Sequence, residues 1–114
     1  MLVIDKNNPG YVVASFPQDK QRLNVVVSDE FKKQLYKLID DGASVVIVDF
    51  THVDFIDSSG FGAIVATFNH ARNHQVTFKL CCIASSVMNL IKITKLDQVL
   101  QIYPSLDEAI QSIS

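Results

Sequence analysis

The apolar run Val45-Val46-Ile47-Val48, continuing into Asp49-Phe50, reads as a buried strand. Shortly after it comes Asp57-Ser58-Ser59-Gly60-Phe61-Gly62, where two hydroxyls stand at the opening of a predicted helix. Gly60 and Gly62 leave the first helical turn almost bare of side chains, and Asp57 is placed to cap it. The first turn of a helix carries unpaired N–H groups and the positive end of the helix dipole. It can therefore hold an acidic cap, a bound anion or a covalent phosphate, and Ser58 sits in that field.

With 114 residues the chain is long enough for one core and too short for two, so residues 1–114 are expected to form one domain. Hydrophobic residues make up 48% and charged residues 19%, the profile of a compact domain rather than a disordered tail. The net charge is −2 and Lys and Arg are scattered, so no basic stripe points to nucleic acid or to an anionic membrane. No apolar run approaches a membrane span, and Met1-Leu2-Val3-Ile4-Asp5 lacks the basic start of a signal peptide. A cytoplasmic location is expected, and the composition is compatible with a monomer. Cys81 and Cys82 are adjacent, which suits neither an ordinary disulfide nor a CxxC site, and both read as small core or near-core residues.

Strands and helices alternate along the chain. Val3-Ile4 and Tyr11–Phe16 are predicted to pair as a hairpin across Asn7-Asn8-Pro9-Gly10. A polar loop is expected from Pro17 to Asn24. Ser28 is then expected to cap a helix with Phe31, Leu35, Leu38 and Ile39 inward, ended by Gly42. A loop from Phe50 to Asp57 follows the strand at Val45, and the helix opened by Ser58 runs to about His74. A strand over Val76–Ile83, a helix from Ser85 to about Thr94 with Val87, Leu90 and Ile91 inward, and a short strand over Val99–Ile102 complete the pattern. Ser105-Leu106-Asp107-Glu108 is a capping box for a last helix, with Ala109, Ile110 and Ile113 on one side. The fold class is α/β, with a mainly parallel mixed sheet, an antiparallel N-terminal strand and about four helices.

On the helix after Asp57, Phe61, Ile64, Val65 and Phe68 fall together and are expected to face the core. Ser59, Gly62, Ala63 and Ala66 lie around the opposite side. An ordinary solvated helix carries Lys and Glu there, so a flat, uncharged face beside an exposed hydroxyl suggests a docking surface for another protein. The alternative is that a neighbouring loop covers it. His70 and His74 lie on a polar helical face with no acidic or cysteine ligand near them in the sequence, so a solvated face is expected and no metal is assigned. Met88 and the aromatic residues are assigned to the core.

The segment from Val48 through Asp57-Ser58-Ser59-Gly60-Phe61-Gly62 resembles the pattern of STAS domains of the bacterial anti-sigma factor antagonist type, an apolar strand, an Asp, an apolar residue and then D-S-S-G-[apolar]-G. Thr94-Lys95-Leu96-Asp97 is similar to that family's T-G-L-D segment, and Ile102-Tyr103 and Glu108-Ala109 fit its closing strand and helix. The resemblance covers nearly the whole chain. It implies a single STAS domain whose phosphorylation site is Ser58. The implied partners are an anti-sigma factor Ser/Thr kinase, which binds the unmodified form and releases its sigma factor, and a PP2C-type phosphatase, which removes the phosphate. Asp57, Ser58, Ser59, Gly60, Gly62, Ala63, Ala66 and Asn24 would contribute to the partner surface. No cofactor and no catalytic residue are implied, since ATP, magnesium and the catalytic base belong to the kinase.

The chain departs from the family pattern at three places. Asn24 stands where an acid is usual in G-x-L-D; an amide accepts a hydrogen bond but carries no charge, which bears on partner choice. Lys95 and Gln75 replace glycines at turns, which points to positive φ at both. No G-x-S-x-G nucleophile elbow and no P-loop are present, so no enzyme is indicated. The alternative within the family is a non-phosphorylated STAS adaptor or scaffold subunit of a transporter or signalling complex.

Overall fold

A computed structural model describes residues 2–17 and 21–113. Part of the loop expected over 17–24 lies outside the described residues. Strands β1 (Val3–Asp5) and β2 (Val12–Ser15) pair antiparallel, as the turn at Asn7–Gly10 predicts. The strand β3 (Gln21–Leu23) leads into helix α1 (Val25–Asp40) and strand β4 (Val45–Asp49). Then follow β5 (Val53–Ile56), α2 (Ser58–Asn73), β6 (Thr77–Cys81) and α3 (Ser85–Ile93). A 3₁₀ turn (Leu96–Gln98), β7 (Gln101–Tyr103) and α4 (Leu106–Gln111) close the chain. The five-stranded sheet has the order β1-β2-β4-β6-β7, parallel after its first pair, and β3 and β5 form a separate parallel pair.

Alternation along the strands divides the core between the two faces of the large sheet. Ala14, Val46, Val48, Phe78 and Leu80 pack with Phe31, Leu35, Ile64, Val87 and Ile91 from α1, α2 and α3. Val13, Val45, Ile47 and Cys81 point the other way and are covered by Ala109, Leu106, Ile110 and Ile113 of the α4 segment. This two-sided cover explains the unbroken apolar run of β4, whose first four residues are all buried. At the centre of the larger cluster, Phe16 lies 5.7 Å from Phe31 and 5.6 Å from Phe50 between ring centroids. Burial first, then the neighbouring Cys82 and Asp49, push the Cys81 thiol well above the ordinary thiol range, which keeps it protonated and unreactive.

Several local expectations hold. Gly42 adopts φ +101°, and the amides of Gly42 and Ala43 bond to Ile39 and Leu38 in a Schellman ending of α1. Gln75 and Lys95 take φ of +56° and +63°. Ser105 caps α4 as expected, its Oγ accepting from the Glu108 amide at 3.1 Å, while the Glu108 carboxylate accepts from the Ser105 hydroxyl at 3.2 Å rather than from its backbone amide.

Others are corrected. The cap of α1 is Asn24, whose Oδ1 accepts from the Val26 amide at 3.0 Å, and Ser28 is a buried residue inside the helix. Val25 and Val26 at the start of α1 are exposed, so apolar periodicity does not reveal that first turn. The loop expected over Phe50–Asp57 contains β5. Its burial runs buried, exposed, exposed, buried, without the period of two that marks a half-buried strand, because among the described residues it pairs only with the short β3, through an irregular register. Leu90 is exposed because the inward stripe of α3 is Val87 and Ile91, and Val99 is exposed because β7 begins two residues later. Phe55 also lies outside the core, exposed beside Arg22.

Candidate functional site

The described residues of the site are built where two helices start. Asp57 is the N-cap of α2; its Oδ1 accepts from the Gly60 amide at 2.9 Å. Its Oδ2 accepts from the Val25 amide, the first residue of α1, at 3.2 Å. One carboxylate therefore joins two N-termini, and Asn24 caps the second of them from its own side chain. Replacing Asp57 with Ala is expected to lower stability by about 0.5–2 kcal/mol, as N-cap removal does, read as a fall in the urea midpoint at unchanged slope. An unaltered midpoint would contradict the double cap.

Gly60 shows why this point admits no side chain. A Cβ there would meet the Leu23 carbonyl oxygen and come within 2.7 Å of Ile56 Cγ2. The same Leu23 oxygen accepts from the Asp57 amide at 3.2 Å, so β3, β5 and the start of α2 are drawn together around one backbone atom. Ser58, the first helical residue, is exposed above this junction, and Ser59 is half-buried beside it. The first amides of a helix have no acceptor within it, and both dipoles place positive potential at this end of the α1–α2 pair.

The face of small residues divides in two. Gly62 is exposed, with nothing near the position of its absent Cβ. Ala63, expected to face outward, is buried because α1 lies against it, and Gly60 is sealed beneath the junction. Ala66 is half-buried, its carbonyl accepting from the Tyr36 hydroxyl at 3.3 Å. The cover is thus a helix, not a loop. A cleft of about 180 Å³ between the helices is lined by Ser28, Asp29, Lys32, Ser59, Gly62 and Ala63. The buried stripe of α2 is Gly60, Ala63, Ile64, Thr67 and Ala71, rotated from the one expected; Phe61 and Phe68 pack at its margin and Val65 is half-buried.

Residues that the sequence did not single out complete the surface. Val25 and Val26 are 68% and 80% exposed, and Phe55, which is 43% exposed, carries the Arg22 guanidinium 5.2 Å from its ring centroid. Arg22 and Phe55 are register partners in the β3–β5 pair. These exposed groups lie on β3, β5 and the first turn of α1, the elements drawn together at the Leu23 carbonyl and the Asp57 carboxylate. The signal for the exposed turn of α1 was Val25-Val26-Val27 directly after a cap residue, three apolar side chains at positions that cannot all face one core.

His70 and His74 are not simply solvated. Asp40, from the end of α1, lies 2.8 Å from His70 Nε2 and 3.9 Å from His74 Nε2. The expectation of no nearby acid held only along the sequence; packing of α1 on α2 supplies one.

The STAS domain family model matches residues 20–109. A protein of Thermotoga neapolitana, described as a candidate anti-sigma factor antagonist homologous to TM1081, is 26% identical over 94 residues, covering 82% of this chain and 83% of that protein. The crystal structure of TM1081 from Thermotoga maritima, described in the same way, superposes with a TM-score of 0.86 at 24% identity, over 97% of this chain and 92% of that one. Phosphorylated SpoIIAA of Bacillus superposes with a TM-score of 0.75 at 16% identity over the full length of both chains. At these identities the structural likeness shows a common fold. Among the described residues no helix is long and apolar enough to cross a membrane.

Proposed function

Because the chain belongs to the STAS domain family, and relatives in sequence and structure are described as anti-sigma factor antagonists, we propose that it is an antagonist of an anti-sigma Ser/Thr kinase, switched off by phosphorylation of Ser58. The observation that carries this reading is the exposed Ser58 at the first position of α2, directly after the Asp57 carboxylate that ties the start of α2 to the start of α1. The unmodified surface docks on the kinase, which lets go of its sigma factor. The kinase then moves the γ-phosphoryl group of ATP to Ser58 Oγ. The new O–P bond replaces the bond to ADP, and the hydroxyl proton passes to the kinase's base.

Phosphate adds about −1.5 to −2 charge at neutral pH. In the free domain, the positive ends of two helix dipoles stabilise that charge. In the complex the same group must be desolvated beside Asp57, and the partner is released. A PP2C-type phosphatase resets the hydroxyl.

Incubation of the wild type and Ser58→Ala with the cell's own anti-sigma kinase and ATP tests the chemistry. Peptide mass spectrometry is expected to find phosphate on Ser58 of the wild type and none on the variant. Stable capture of the kinase with no phosphate on Ser58 would replace this reading by a passive adaptor.

A further inference from the structure

Helices α1 and α2 run side by side in the same direction. Their starts meet at Asp57, and their ends meet at Asp40, His70 and His74. One ligand atom from each of these three residues lies within 4.8 Å of every other. His70 lies in the last turn of α2 and His74, four residues on, caps its end with its ring 4.3 Å from that of His70; Asp40 completes the group from α1.

Hydrogen bonding decides what His74 can do. Its Nδ1 lies 2.8 Å from the His70 carbonyl oxygen, which can only accept, so Nδ1 carries the proton. In the neutral ring Nε2 then holds a lone pair. It sits 3.9 Å from Asp40 Oδ1, too far for a hydrogen bond, so two electron-rich atoms face each other with a gap between. An imidazole whose Nδ1–H donates to a backbone carbonyl is the usual outer-shell arrangement of a metal-binding His. His70 is oriented too: its ring stacks on Tyr36 at 4.0 Å between centroids and 3° between planes. Both helices end here, so both dipoles favour a cation.

We propose that Asp40 Oδ1, His70 Nε2 and His74 Nε2 form a binding site for a divalent transition-metal ion of the zinc class. Two imidazole nitrogens and one carboxylate oxygen are the ligand set of an open tetrahedral zinc site, with water as the fourth ligand. Bond lengths of about 2.0–2.1 Å require ligand atoms about 3.3 Å apart. The two distances from Asp40 Oδ1, 2.8 and 3.9 Å, bracket that value. Small side-chain rotations close the set, and His70 takes its proton on Nδ1 when Nε2 binds metal.

Calorimetric titration of zinc chloride into the full chain tests the site, with cobalt(II) as a spectroscopic substitute. The expected result is one-to-one binding, a rise in thermal midpoint, and a cobalt spectrum of tetrahedral type. His74→Ala and Asp40→Asn, at partly exposed positions, each weaken binding by at least the roughly tenfold that loss of an outer-shell partner costs, while the metal-free proteins still unfold cooperatively. His74→Gln serves in place of His74→Ala if the latter fails to fold. His52→Ala and Cys82→Ser are expected to bind as the wild type does; the second addresses the other grouping of candidate ligands, Asp49, Cys81 and Cys82. Undiminished binding in both Asp40 and His74 variants, loss of binding in Cys82→Ser, or no saturable binding to the wild type at 100 μM metal, equivalent to about 5.5 kcal/mol, overturns the proposal.

Discussion

Replacing Ser58 with Asp is expected to weaken capture of the anti-sigma kinase by about thirtyfold to several thousandfold, the equivalent of roughly 2–5 kcal/mol for a charge left unpaired at a buried interface. The carboxylate stands where the unmodified surface offers a neutral, exposed hydroxyl, directly after Asp57 in the chain. Ser58→Ala removes the hydroxyl without adding charge, so it is expected to hold the partner and to be immune to ATP. The difference between the two variants is the measurement, made by capture from the native lysate and by titration with the purified kinase. Equal affinity for wild type, Ser58→Ala and Ser58→Asp would remove the switch and leave an adaptor.

Two glycines of α2 are expected to respond to Ala with opposite signs. At Gly60 the added methyl group meets the Leu23 carbonyl oxygen and Ile56 Cγ2, and the oxygen cannot retreat without stretching its bond to the Asp57 amide. Overpacking against a fixed backbone costs about 1–3 kcal/mol. Gly60→Ala is therefore expected to lose at least that much stability in urea unfolding and to displace the start of α2, with a fall in kinase capture. At Gly62 the methyl group enters open space, and Ala is favoured over Gly in a helix by about 0.5–1 kcal/mol. Gly62→Ala is thus expected to be as stable as the wild type or more so. A neutral Gly60→Ala would show that the junction of β3, β5 and α2 is looser than described.

Features whose cause is local were legible in the sequence. Asp57 caps α2, Gly42 ends α1, and Ser105 with Glu108 opens α4, because each needs only the residue itself and a few neighbours. The alternation of strands and helices, and the antiparallel start, followed from apolar runs and turn residues. Features whose cause is tertiary were not. Ala63 is small because α1 presses on it, and small residues look alike whether they face a helix or a partner. Among the described residues β3 and β5 pair only with each other, and β5 has no period that marks it alone. Asn24 was noted as a departure from an acidic pattern, yet its observed work is to cap α1, a role an amide fills as well as a carboxylate. Ser58 was singled out by its motif, whereas strand register and the shared cap, which no local signal announces, bring Arg22, Phe55 and Val25 onto the elements that meet at Asp57.

The two parallel helices are fastened at three heights: at Asp57 below, by the Tyr36 hydroxyl on the Ala66 carbonyl in the middle, and at Asp40 and His70 above. A pair of struts braced in this way cannot shear or splay without breaking a brace. A push at one end is met as a rigid truss meets it, by resistance rather than by bending. Under the proposed switch, a phosphate on Ser58 is therefore expected to leave the outline of the domain unchanged, so that the partner responds to added charge on an unmoved wall.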